Sequence, residues 1–368
     1  MRKYSIAAVL IGMAVVIGVP EPVTAHETDQ FSLPLDKPFA DMGDLLDAAH
    51  LRMVQRAVDR ANAEIRRTLE QRQTPAIRKR LASLQSQEYL VQQAYKALND
   101  AFTDALDIEA ALARSWGEAH YPGQYVRYDP PRWIYADAQA WLDPRRLITV
   151  WRSSTIKAHG VYFGSDKLSH FHHMGRFYYS AWRENLAAGM SEEEAVANVV
   201  RRYSSGGPLG ENGLLGFVAT GVYSNADLVA NYTGFKFYRN LTEPVTLKGK
   251  VCPPLCVRVG NYWRINDHVR PESGWFGAFI SDHWNEALNP NRYDVTLRAD
   301  VKRGIEKRAD TILAFWTQRD GRPAEAAYYD TLAKQLSTYY GEAYGYSTGG
   351  DTLFTIGNTV IPAIGASR

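Results

Sequence analysis

The chain has 368 residues, with 42 Lys and Arg against 40 Asp and Glu. That near balance argues against a partner selected by bulk charge, so a nucleic acid and an anionic membrane surface are not expected. The 22 Tyr and 9 Trp suit a neutral ligand such as a sugar, although core packing also uses flat amphipathic rings.

Residues 1–25 have the form of a cleavable export signal. Arg2 and Lys3 precede an apolar run from Ile6 to Val19 that is short for a membrane span, and Val23-Thr24-Ala25 sets small residues before His26. The expectation is a periplasmic or secreted protein beginning at His26 and not inserted in a membrane; an uncleaved anchor is the alternative. Residues 26–368 then form a single mainly α domain, with long aromatic-rich loops and a small β or loop insertion. Asp44 opens a helix with apolar residues every three or four positions to about Gln73, and Pro75 suits the first turn of a second helix running toward Trp116, giving a helical hairpin over 44–116. The segment 118–164 is rich in Pro and aromatics and is expected as ordered loop. A core follows over 163–243, in which Ser165 can cap a helix, Ser191 with Glu194 forms a capping box, and Ser224 with Asp227 a second. Residues 244–275 supply the strand material, and helices are expected over 276–345. Cys252 and Cys256 are the only cysteines, and in an oxidising compartment a disulfide between them is expected.

Several clusters carry chemistry. In the first helix Asp47, His50 and Arg52 bring together a carboxylate, an imidazole and a guanidinium; a solvated face with an ion pair is the plain alternative. Asp166, His170 and His173 share one helical face, with Lys167 beside them to hold a hydroxyl or keep a carboxylate charged. A metal could use Asp166, His170 and His173, but no further ligands are signalled, so neither a metal nor a cofactor is expected. Glu211 lies on a Gly-flanked loop. Asn225, Asp227 and Asn231 offer short hydrogen-bonding side chains to a sugar, and Trp284 could stack on a ring beside Glu286; capping and a helix end explain the same residues without function.

Asp47-Ala48-Ala49-His50-Leu51-Arg52 with Phe163-Gly164-Ser165-Asp166-Lys167-Leu168-Ser169-His170-Phe171 resembles the pattern of glycoside hydrolase family 183, exported bacterial endo-D-arabinanases. The resemblance implies cleavage of internal α-D-arabinofuranosyl linkages, as in arabinogalactan, lipoarabinomannan or arabinan-decorated pili. It also implies an essential Asp47. A second carboxyl is then required; Asp166 is favoured over Glu211 because it stands beside Lys167 and His170 at a helix start. A non-catalytic envelope protein binding a glycan or a partner protein is the alternative from another class. A lytic transglycosylase, suggested by Glu272-Ser273-Gly274 and Asn231-Tyr232-Thr233-Gly234, has its motifs in the wrong order.

Overall fold

The computed structural model describes residues 26–101, 111–137, 151–207, 209–213 and 216–366. The expected leader and residues 138–150 of the expected aromatic-rich loop segment lie outside them. The architecture is mainly α, and among the described residues the strands pair only in two-stranded ladders. Among the described residues, no helix is long and apolar enough to cross a membrane.

Strand β1 (His26–Glu27) is followed by helix α1 (Gly43–Leu69), α2 (Pro75–Leu84), α3 (Gln87–Ala101) and α4 (Arg114–His120). Helix α1 buries Leu46, Met53, Val54, Ala57, Ala61 and Ile65, and α3 packs along it through Leu90, Val91, Ala94 and Leu98. The expected hairpin is therefore present. Its second arm is broken, because α2 closes at Leu84 and a new helix starts at Gln87. Thr74 caps α2 by accepting from the Ile77 N–H at 3.3 Å, with Pro75 at its first position.

Strand β2 (Trp151–Arg152) runs parallel to β1, and β3 (Thr155–Ala158) pairs antiparallel with β4 (Val161–Gly164). His159 and Gly160 join that hairpin with φ of 49° and 80°, both in the left-handed region that suits a two-residue turn. Next come α5 (Asp166–Ser169), a π-helical turn (His170–Met174), α6 (Gly175–Ala187) and α7 (Glu192–Ser204). The Ser191 and Glu194 capping box is formed at the start of α7.

After α8 (Phe217–Thr220) and β5 (Val222–Tyr223), helix α9 (Asn225–Asn240) passes through the middle of the molecule. It is buried along nearly its whole length although it carries Asn225, Asp227, Asn231 and Lys236. A buried helix with polar residues on it must satisfy them internally, and such residues are the first place to look for function. It meets the π-turn and α6 at two glycines. A Cβ on Gly234 would lie 1.8 Å from the Phe171 carbonyl oxygen, and one on Gly175 would lie 2.6 Å from the Gly234 carbonyl carbon.

The expected insertion consists of two hairpins, β6 (Val245–Leu247) with β7 (Lys250–Cys252) and β8 (Cys256–Val259) with β9 (Tyr262–Ile265). The expected disulfide is not formed in this structure, where Cys252 and Cys256 are unbonded. Cys252 ends one hairpin opposite Val245, whereas Cys256 begins the other opposite Ile265 and is buried in the core. Strand β10 (Arg292–Tyr293) pairs with β5, and α10 (Val295–Glu306), α11 (Ala309–Ala314), α12 (Ala326–Leu336) and α13 (Ile361–Ala366) complete the chain.

Two apolar clusters fill the interior. One gathers α1, α3, α6, α7, α9 and residues 275–284. The other gathers Phe31, Trp133, Tyr162, Tyr293 and the C-terminal helices. The chain passes between them at Trp284 to Ala287, the first residue belonging to one cluster and the last to the other.

Candidate active site

Glu286 lies on that passage, and its carboxylate meets the Lys167 ammonium. Lys167 is wholly buried, and its Nζ lies 2.9 Å from Asp166 Oδ2, 2.5 Å from Asp227 Oδ1 and 2.5 Å from Glu286 Oε1. Three distant segments supply these acids: the first turn of α5, the first turn of α9 and the turn after Trp284. Two of them are held from behind. Thr28 Oγ1 donates to Asp166 Oδ1 at 3.1 Å, Asn291 Nδ2 to Glu286 Oε2 at 3.0 Å, and the Glu286 N–H to Gln30 Oε1 at 3.0 Å. His170 Nε2 lies 3.2 Å from Asp227 Oδ2, and with 17% of its side chain exposed it is the most open member of the group.

Asn231 stands 3.0 Å from His170 Nδ1. With its carboxamide turned so that nitrogen faces His170, it donates to His170 Nδ1 and to the Asp227 backbone carbonyl. His170 then turns Nε2 toward Asp227. Ser224 ties in the remaining acid: its N–H donates to Glu211 Oε1 at 2.8 Å, while its hydroxyl caps α9 at the Asp227 N–H.

Lys167 is therefore the cation at the middle of a buried acidic group. Burial alone would drive off its proton, but Asp166, Asp227 and Glu286 outweigh that and hold its pKa well above the usual lysine value. The acids divide. Burial pushes Asp166 up, and the charges of Lys167 and His170 more than reverse it, leaving it below the usual carboxylate range. Burial raises Glu286 to about 7, despite Lys167, with Asp227 and Asp166 adding to the rise. Burial also raises Glu211, with Asp227 next, and raises Glu27, with Glu286 and Asp227 next. One site so holds a carboxyl group pushed below its usual range beside others pushed above theirs, a division that acid–base catalysis uses.

One oxygen each from Asp166 and Asp227 and a ring nitrogen of His170 lie within 4.8 Å of one another. A metal using Asp166 and His170 would thus find Asp227 as its third ligand rather than His173. The Lys167 ammonium already occupies the space between the two aspartates and supplies the positive charge that a cation would bring.

His173 has turned away to Tyr95, whose hydroxyl is 3.1 Å from its Nδ1. The π-turn is the reason. A face shared by residues 166, 170 and 173 assumes 3.6 residues per turn, and the wider turn beginning at His170 rotates everything after it.

Asp47 and His50 belong to a different group. Asp47 is completely buried; it accepts from the Phe276 N–H at 3.1 Å and lies 3.2 Å from His159 Nε2. His50 donates from Nδ1 to the Leu46 carbonyl at 2.7 Å, so its bare Nε2 accepts from His172 Nε2 at 2.8 Å. Both rings are neutral: burial lowers His50 to about 4 and puts His172 well below the usual histidine range. Rings of Phe171, Phe276 and Trp284 fill the interior beside this group, and no hydrogen bond or ion pair joins Asp47 to the Lys167 cluster among the described residues.

The other expected site residues fall as follows. Arg52 is exposed on α1, whereas Asp47 and His50 are buried. Asn225 is structural: it donates to the Pro290 carbonyl at 2.7 Å and accepts from the Ser347 N–H at 3.0 Å. Trp284 has no exposed face for a sugar ring and packs edge-on to Phe163. Glu286, two residues on, is the member that sequence analysis set aside as a neighbour of Trp284. Glu27, His159 and His172 have no spacing in the sequence that marks them.

No family model, curated protein or solved structure matches this chain. Fold and site together define a mainly α protein built around a lysine-centred buried carboxylate cluster.

Proposed function

We propose that this protein is an exported hydrolase that cleaves glycosidic bonds by carboxylate acid–base chemistry at the Lys167 cluster. D-arabinan is its substrate and no cofactor takes part. The observation that carries the reading is the convergence of Asp166, Asp227 and Glu286 on one ammonium, beside the partly open His170. Glycoside hydrolysis needs a proton donor and an ionised partner held close together. Glu286 is the donor to the leaving oxygen and Asp166 the partner that activates water or attacks the anomeric carbon. Lys167 keeps Asp166 charged, and His170 with Asp227 and Asn231 fixes the open side of the group. The substrate is suggested by the resemblance of the Asp47–Arg52 and Phe163–Phe171 segments to endo-D-arabinanases.

A non-catalytic glycan-binding envelope protein is the second reading. It is favoured by the depth of the cluster: Glu286 is only 2% exposed, and a buried charge network can serve structure alone. The decisive experiment incubates purified protein with D-arabinan and follows released oligosaccharides by chromatography, beside Asp166→Asn and Glu286→Gln. Release by the unaltered protein, reduced roughly a hundredfold to ten-thousandfold in each variant, supports the hydrolase. Binding of the polysaccharide without any release leaves the second reading.

A further inference from the structure

We infer that a cavity adjoining the Lys167 cluster is a binding site for an anionic sugar residue, one that bears a carboxylate or a phosphate. The cavity holds about 360 Å³, at the lower end of the range for ligand pockets and suited to a single ring with one substituent. Its walls come from the end of α7, the paired strands β5 and β10, and the segment Ser337–Ser347. Two guanidiniums, Arg201 and Arg292, face it, and its lining contains no carboxylate.

The two arginines lack the acid partner that several other arginines of this chain have. Arg239, Arg298 and Arg322, also partly covered, each meet an acid: Glu192 and Glu243, Asp351, and Asp282 in turn. Among the described residues Arg292 has no ion pair. Its Nη2 donates to the neutral Asn212 Oδ1 at 2.7 Å, and its Nε is buried without a partner. The guanidinium carbon stands 4.1 Å from the ring centroid of Phe217 and 4.9 Å from that of Tyr223. Aromatic faces hold it flat and pre-oriented without neutralising it. Arg201, at the exposed end of α7, also has no carboxylate partner among the described residues. Two unneutralised guanidiniums at one concave site form a recognition element for an oxyanion, which such forks bind through paired hydrogen bonds. The hydroxyl groups of Ser204, Thr338 and Tyr346 on the same walls suit the remaining hydroxyls of a sugar.

The cavity is joined to the acid cluster through two short pieces of chain. Asn212 follows Glu211, and Tyr223 precedes Ser224, whose N–H holds the Glu211 carboxylate. A sugar bound here would lie one wall away from the groups assigned to catalysis. As an anion site the cavity stands apart from the hydrolase reading, because D-arabinan itself carries no charge.

Titration calorimetry of the intact protein with D-glucuronate and with D-arabinose 5-phosphate tests the site, beside neutral D-arabinose and inorganic phosphate. One of the sugar anions should bind, more weakly as salt is raised, and the arm that binds identifies the anion. Arg201→Gln, on an exposed helix end, should weaken binding tenfold or more without changing the melting temperature, and Arg292→Gln should do so more strongly. Equal binding of neutral D-arabinose, or unchanged affinity in Arg201→Gln, overturns the proposal. Inorganic phosphate binding as tightly as either sugar anion removes the sugar from it. Asp166→Asn should retain the affinity. A protein that binds the sugar anion yet releases nothing from any glycan keeps the anion site and loses the hydrolase reading.

Discussion

Lys167 and Glu286 are the residues whose chemistry can be tested most directly. Replacing Lys167 by Met leaves Asp166, Asp227 and Glu286 facing each other with no countercharge, so the expected cost is about 3–5 kcal/mol of folding stability, measured by urea unfolding. Glu286 has a folded pKa of about 7, above that of the unfolded chain. The proton is held more tightly in the folded protein, so this group stabilises fully below the unfolded value of roughly 4.3 and loses that contribution as pH rises through about 7. Asp166 runs the other way: its folded pKa is depressed, and its contribution, present above roughly 3.9, is lost as pH falls below that range. Thermal melts from pH 3 to pH 8 should therefore show greatest stability between about pH 4 and pH 6, with the alkaline decline reduced in Glu286→Gln. Turnover should fall as pH passes about 7, because the proposed proton donor is then ionised.

At the scale of elements, the site depends on how closely α9 approaches the π-turn and α6. Gly234→Ala would place a methyl group against the Phe171 carbonyl, which no side-chain movement can relieve. We expect a loss of about 1–3 kcal/mol from overpacking, together with lower turnover, since α9 carries Asp227 and Asn231 to Asp166 and His170. Urea unfolding and an activity assay on the same variant check both effects. Asp47 joins α1 to two turns, through the Phe276 N–H and His159. Asp47→Ala should cost about 1–3 kcal/mol by leaving that buried N–H unmatched, and Asp47→Asn, which keeps the acceptor, less. A fall in turnover of roughly a hundredfold or more in Asp47→Asn at an unchanged melting temperature would instead give Asp47 a proton-transfer role and make it the essential residue that the family resemblance implies. The sequence carries the start of α9 plainly, because Ser224 and Asp227 are capping residue types. It gives no sign that the Asp227 side chain turns inward to Lys167, since a cap and a site residue have the same local signature.

For the whole molecule, the two cysteines report on how the hairpins are set. Cys252 is partly exposed, whereas burial pushes the Cys256 thiol up to about 12. An alkylating reagent followed by mass spectrometry should label Cys252 in the folded protein and Cys256 only after unfolding; a mass two hydrogens short, with no labelling of either, would restore the disulfide. The sequence by itself determined the mainly α character, the α1 and α3 hairpin, the start of α2 at Pro75, the caps of α7 and α9, and the position of the β insertion. Each is written in residue spacing or in contacts a few positions apart, which act whatever the rest of the chain does. It also picked out Asp166, Lys167 and His170, which one helical start holds together. Only the tertiary structure decided that Asp227 and Glu286 join them, that His173 leaves through the π-turn, that Trp284 is closed off, and that Asp47 stands with His159 instead. Those outcomes depend on segments tens to hundreds of residues apart meeting around one buried charge, and neither hydrophobic period nor local propensity records such a meeting.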